Sequence, residues 1–228
     1  MTTDETAIQE TGLQFFGKLS AAVSHDLKNV LSIINEKAGL LEDFCVMARR
    51  GGSLDMERID AITAQVKGQV ERADQIIRCF NRFAHSADHP IAVADVSEMA
   101  ATLVQLAQRL LAALQVSVVV QPADPPVAIA TRPLMAQGLI WSGIQWAAAR
   151  LGDNREITLA VSGTPERASV SIGPVAEMPE IALAQELPAA TRAVQAALGA
   201  VIQADAGSKM LQIHFTPLEA SPDAGGSQ

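Results

Sequence analysis

Residues 19–50, LSAAVSHDLKNVLSIINEKAGLLEDFCVMARR, decide how this chain is read. Leu27, Leu31, Ile34, Ala38, Leu41, Cys45 and Ala48 recur at alternating steps of four and three. That spacing keeps apolar side chains on one stripe of an α-helix packed nearly parallel to its partners. It predicts a single long helix from about Thr11 to Arg50. Gly51-Gly52-Ser53 ends the run, and Arg49 and Arg50 suit the negative end of the helix dipole.

A second helix is predicted from about Leu54 to His85, where Ile59, Ile62, Val66, Gln69, Ala73, Ile76, Phe80 and Phe83 repeat the pattern. Two long helices joined by a short turn make an antiparallel hairpin. One hairpin cannot cover both seams with apolar surface, so a second copy is expected to complete a four-helix bundle as a homodimer.

Beyond Ser86–Pro90, which reads as a linker, the pattern changes. Val96–Leu114 is helical in period, with Asp95 as its cap. Val116–Val120 and Val127–Ala130 read as strands. Thr131 is placed to cap a helix from Pro133 to about Leu151. Ile157–Ser162 and Ala168–Ile172 alternate as paired strands around a turn at Gly163–Glu166. Ile181–Leu198 reads as a helix stopped by Gly199, and Val201–Ala204 and Met210–Phe215 as a closing hairpin. The expected fold is α+β. A helical hairpin (1–88) is followed by an α/β sandwich with helices on one side of a mixed sheet (89–220) and a small polar tail (221–228), expected to be disordered.

Composition narrows the function. Of 228 residues, 49% are hydrophobic and 4% aromatic, with no Tyr, which favours helices packed through Ala, Leu, Ile and Val. The net charge of -8 argues against nucleic acid as a partner. Arg109, Arg150 and Arg192 interrupt the most apolar stretches, and no run approaches the ~18 residues of a membrane span. Cys45 and Cys79 stand alone in helical patterns, so reduced thiols packed as small core residues in a cytoplasmic protein are expected, and no metal site.

The chemistry is concentrated in Ser24-His25-Asp26-Leu27-Lys28-Asn29. At about 100° per residue, His25 lies about 200° from Leu27 and so faces away from the Leu27–Ala48 stripe. Asp26 is beside it and Asn29 one turn on. Neutral imidazole offers one unprotonated ring nitrogen that can attack phosphorus. A carboxylate can accept the proton of the other nitrogen, and an amide can touch phosphoryl oxygens or hold a water. Taken alone, a lone histidine is more often structural. The facing, the neighbours and the hairpin context set His25 apart. His85 and His89 flank a linker and read as solvated, and His214 as structural. Lys28 is most simply a solvated side chain. Trp141 and Trp146 read as core.

The stretch Leu19–Leu41 resembles the H-box of sensor histidine kinases, in which the phosphoacceptor His is followed by an acidic residue on the first helix of a dimerisation hairpin. Phe80-Asn81-Arg82-Phe83-Ala84 resembles the end of the second helix. Leu134–Ala149 takes the place of the N-box helix of the kinase ATP-binding (Bergerat-type) domain, and Leu198–Phe215 that of its closing strands. The departures matter. Trp141 and Gln145 stand where N-box asparagines would hold magnesium and phosphates. Gly173-Pro174-Val175-Ala176-Glu177 carries no Asp-x-Gly-x-Gly, and Glu177-Met178-Pro179-Glu180 no glycine-rich lid.

A hairpin with a degenerate ATP domain is similar to the dimeric histidine phosphotransferases of the ChpT type. The resemblance implies His25 as phosphoacceptor with Asp26 as its neighbour and a receiver domain docking on the hairpin beside the His; Asn29 joins the site by its one-turn offset, and Ser24, Lys28 and Ser32 are the expected receiver contacts. It implies no bound cofactor, with Mg2+ supplied by the receiver. Lys28-Asn29-Val30 is closer to the kinase form than to the Pro and small residues common in that family. Two alternatives therefore stand beside it. One is a pseudokinase that binds, sequesters or dephosphorylates a receiver. The other is an active kinase with a divergent ATP site.

Overall fold

The computed structural model of the chain describes residues 3–88, 91–177 and 187–219. Helix α1 (Thr3–Arg49) and helix α2 (Met56–His85) form the expected hairpin, with α1 beginning well before the expected Thr11 and α2 just after the expected Leu54. Gly51, at φ +83, takes the left-handed turn out of α1, and its N–H reaches the Ala48 carbonyl at 3.0 Å. Asp55 starts α2 by accepting from the Arg58 N–H at 3.1 Å.

The seam of α2 is the one read from sequence, with Ile62, Cys79 and Phe83 buried and Ile59, Val66, Gln69, Ala73, Ile76 and Phe80 half-buried. The seam of α1 is not. Its buried residues are Phe15, Leu19, Ala22, Val23, Val30 and Phe44. Leu31, Ala38 and Cys45 are exposed, and Leu27, Ile34 and Leu41 only half-covered. The hairpin uses the row one residue N-terminal of Leu27, Leu31 and Ile34, about 100° round the helix. Two apolar stripes lie side by side on α1, and periodicity cannot say which one the hairpin takes. Cys79 is a core residue, as expected, and its thiol points at the Thr102 carbonyl at 3.7 Å. Cys45 is not.

Strand β1 (Ala92–Asp95) pairs antiparallel with β3 (Ala128–Thr131) in a two-stranded sheet. Strands β2 (Ser117–Gln121), β4 (Glu156–Thr164), β5 (Arg167–Gly173), β6 (Val201–Asp205) and β7 (Met210–Phe215) form a mixed sheet in the order β2-β4-β5-β7-β6, with β2 and β4 parallel. The fold is α+β, a helical hairpin followed by a mixed-sheet α/β module. On the strands' inner face Ile157, Leu159, Val161, Val170, Ile172, Leu211 and Ile213 are buried. Helix α5 (Pro133–Ala148) lies over them so closely that a Cβ on Gly143 would stand 2.6 Å from Ile172 Cδ1.

β1 was not read as a strand, because its four residues are too few to show a period. Val96–Leu114 is two helices, α3 (Val96–Leu106) and α4 (Gln108–Ala113), broken at Ala107, which has φ -87 and ψ 6. Thr131 does not cap α5. It is buried as the last residue of β3, and the cap position falls to Arg132, with no side-chain cap bond. Helix α6 (Ala189–Ala197) begins after Pro188. The first part of the helix expected from Ile181 (181–186), the lid segment Met178-Pro179-Glu180, His89 and the tail 221–228 lie outside the described residues.

An aromatic cluster joins the two parts. The rings of Phe15, Phe16, Phe80 and Phe83 lie 5.4–6.3 Å apart at the open end of the hairpin, with Phe83 wholly buried. The buried side chains of the hairpin and of the C-terminal part form one continuous core.

Candidate functional site

His25 lies near the middle of α1, flanking the seam that packs against α2. Its position relative to the stripe actually used by the hairpin explains where it points. Asp26 and Val30 belong to that stripe, so His25 is about 100° from Asp26 rather than on the opposite face. The ring is therefore half-buried, not fully solvated, and faces the C-terminal module.

There it meets Arg109, from the first turn of α4. Nη1 of Arg109 lies 2.6 Å from Nδ1 of His25 and 2.8 Å from Nε2. Asn29 approaches from one turn along α1, its amide nitrogen 3.4 Å from Nδ1. A guanidinium only donates and a neutral imidazole accepts at one nitrogen, so at most one of the two Arg109 contacts is a hydrogen bond at a time. The structure thus brings together His25, Asn29 and Arg109.

Asp26 is half-buried beside the ring, and its carboxylate is not among the ring's polar contacts. Ser24, Lys28 and Ser32 form an exposed row at steps of four, adjacent to the row of His25 and Asn29. Sequence reading met Arg109 only as an interruption of an apolar stretch. The break at Ala107 re-aims the following turn toward α1, and no spacing in the sequence signals a contact across 84 positions.

Helix α5 is apolar on its covered faces. Trp141 and Trp146 are buried, as expected for core, and the Arg150 guanidinium lies 4.5 Å from the centre of the Trp146 ring. A cavity of about 230 Å³ lies between the N-terminal part of α1, α5 and α6. Thr11, Phe15, Lys18, Trp141, Gln145 and Thr191 are among its walls. Phe15 closes on α5 where Gly138 has no side chain, 3.4 Å from where a Cβ would stand. Lys18 is the charged member of the described lining. Among the described residues no group of three or more His, Cys, Asp or Glu is placed to hold a metal, and no helix is long and apolar enough to cross a membrane.

His214, read as structural, sits on β7 opposite Ser169 of β5 and shares a 2.7 Å hydrogen bond with its hydroxyl. Burial first, and the Arg167 charge second, hold His214 below its ordinary value of 6.5. His85 is exposed and pairs with Asp88 at 2.7 Å.

No protein-family model matches the sequence, and no curated protein does either. Solved structures do match. The histidine kinase AdeS of Acinetobacter baumannii is 12% identical over 84% of this chain and 97% of that one, with a TM-score of 0.43. A bacterial phosphotransferase is 14% identical over 89% and 95%, with a TM-score of 0.45. The histidine kinase domain of the E. coli osmosensor EnvZ is 14% identical over 61% and 96%, at 0.42.

Proposed function

We propose that the chain is a histidine phosphotransferase of a two-component phosphorelay, in which His25 takes phosphate from one receiver aspartate and gives it to another. The observation that carries this reading is the setting of His25. An imidazole on a hairpin helix is held against an arginine and an amide, with an exposed row of Ser24, Lys28 and Ser32 beside it on which a receiver can dock. Phosphoryl transfer asks a protein mainly for positioning and for cations around the moving charge. The arrangement supplies both, and Mg2+ comes with the receiver.

The chain's own ATP-dependent phosphorylation is not part of the proposal. In the helix that would hold nucleotide phosphates, Trp141 is core and Gln145 replaces a metal-binding asparagine. The segment after β5, Gly173 to Glu177, offers no Asp-x-Gly-x-Gly. Phe15 and its neighbours on α1 cover the same face of α5. The working unit is a homodimer paired through the exposed stripe of the hairpin.

Radiolabelled phosphate offered on a phosphorylated receiver is expected to appear on the chain as acid-labile label and to vanish in His25→Ala. Labelling from ATP alone would make the chain a kinase. Loss of receiver phosphate with no labelled intermediate, abolished by Asn29→Ala, would make it a phosphatase-like binder.

A further inference from the structure

We propose that Arg109 is a catalytic residue at His25, its guanidinium binding the oxygens of the phosphoryl group as that group passes to and from the imidazole. The proposal rests on the phosphotransfer reading and gives the C-terminal module a part in it. A module without evident nucleotide chemistry then has a reason to be attached to a phosphotransfer hairpin, because it presents the cation.

The contact itself is the argument. Arg109 is exposed, and among the described residues it forms no ion pair with a carboxylate. Its polar contacts are with His25, one Nη1 within 2.6 and 2.8 Å of the two ring nitrogens. An imidazole is a poor match for this donor. A neutral ring accepts at one nitrogen, while the guanidinium carries five N–H groups. A phosphoryl group fits better, since three anionic oxygens can take two parallel N–H bonds. Nη1 at rest occupies the space that phosphorus must enter beside the ring nitrogen. When the flexible side chain withdraws by about the width of one atom, the oxygens arrive where the guanidinium waits.

The step balances without another group from this chain. The lone pair of the unprotonated ring nitrogen forms the N–P bond while the O–P bond of the aspartyl phosphate breaks. That electron pair leaves on the receiver carboxylate. The proton on the other ring nitrogen stays there or passes to water. Three oxygens carry the spread negative charge through the transition state, and a cation beside them lowers its energy.

Phosphoramidate serves as the probe, a small donor whose P–N bond breaks as ammonia leaves. Intact mass and 31P NMR follow the N-phosphoimidazole on the full chain, with His25→Ala as the blank. Arg109→Ala is expected to slow labelling of His25 roughly tenfold to hundredfold. Arg109→Lys, which keeps charge but not the fork, should fall between. The last proton of the phosphoryl group, read from the 31P shift against pH, should leave about one unit higher in Arg109→Ala, because the cation no longer favours the dianion. A merely structural arginine would not move that titration. Arg109→Gln, which keeps the stem, covers the case in which the alanine variant does not fold. Labelling of either variant at the wild-type rate or faster, with the titration unmoved, overturns the role of Arg109 and leaves His25 standing. No label on wild-type His25 overturns both readings.

Discussion

His25 has two polar neighbours at very different ranges, and the difference sets their expected weights. Arg109 stands at 2.6 Å and is charged, whereas the Asn29 amide stands at 3.4 Å, near the limit of a useful hydrogen bond. Asn29→Ala should therefore change phosphoramidate labelling of His25 by under about threefold, a fraction of the arginine effect. Labelling followed by mass spectrometry in the two variants side by side checks the order. His214 provides a residue-scale prediction about pH. Its folded value lies below 6.5, so between that value and 6.5 the unfolded chain binds the extra proton and stability falls as pH falls. Above 6.5 the penalty is absent. His214→Gln should flatten the loss of stability on the acid side of 6.5, measured as urea midpoints across pH, and leave neutral stability nearly unchanged.

Among the elements, Phe83 and Gly143 sit where packing is close. Phe83 is wholly buried and shares ring contacts with Phe15, Phe16 and Phe80. Phe83→Ala should cost about 3–5 kcal/mol, measured by denaturant unfolding. Gly143→Ala puts a methyl within 2.6–3.3 Å of Ile172, Leu211 and Ile213, three side chains fixed in a sheet, and should cost about 1–3 kcal/mol. The two positions also show how far the sequence could be read. Phe83 belongs to an uninterrupted three-four series on α2, and that series carries the seam, the hairpin and the end of α2 at His85, while its start falls at Met56, two residues after Leu54. The alternation of β4, β5 and β7 was equally plain because each has three inward residues. On α1 two apolar stripes compete, and only the partner surface chooses between them. That choice rotated the inferred facing of His25 by about 100°. β1, the break at Ala107 and the cap of α5 depend on tertiary pairing that four to six residues cannot announce. Within the site, His25 and Asn29 were legible because a helical turn connects them. Arg109 was not, because folding alone brings it there.

In the whole molecule the unused stripe of α1 becomes the question of assembly. Leu31 on that stripe, and Val70 and Ile77 on α2, are 62%, 53% and 45% exposed on the single chain. Apolar side chains repeated along a long hairpin suit a second hairpin. Leu31→Glu should convert a dimer to a monomer, seen as a halved mass in light scattering. Because Arg109 and His25 meet within one chain, the monomer should still be labelled by phosphoramidate at a rate close to that of the dimer. The same geometry makes a stricter prediction for mixed dimers. One chain carries His25→Ala with Arg109 intact, and its partner carries Arg109→Ala with His25 intact. If the guanidinium serves the imidazole of its own chain, the surviving His25 in the mixed dimer is labelled as slowly as in the Arg109→Ala homodimer. Recovery of the wild-type rate would mean that the arginine reaches across the two-fold axis, and the contact between α1 and α4 of one chain would not be the working arrangement.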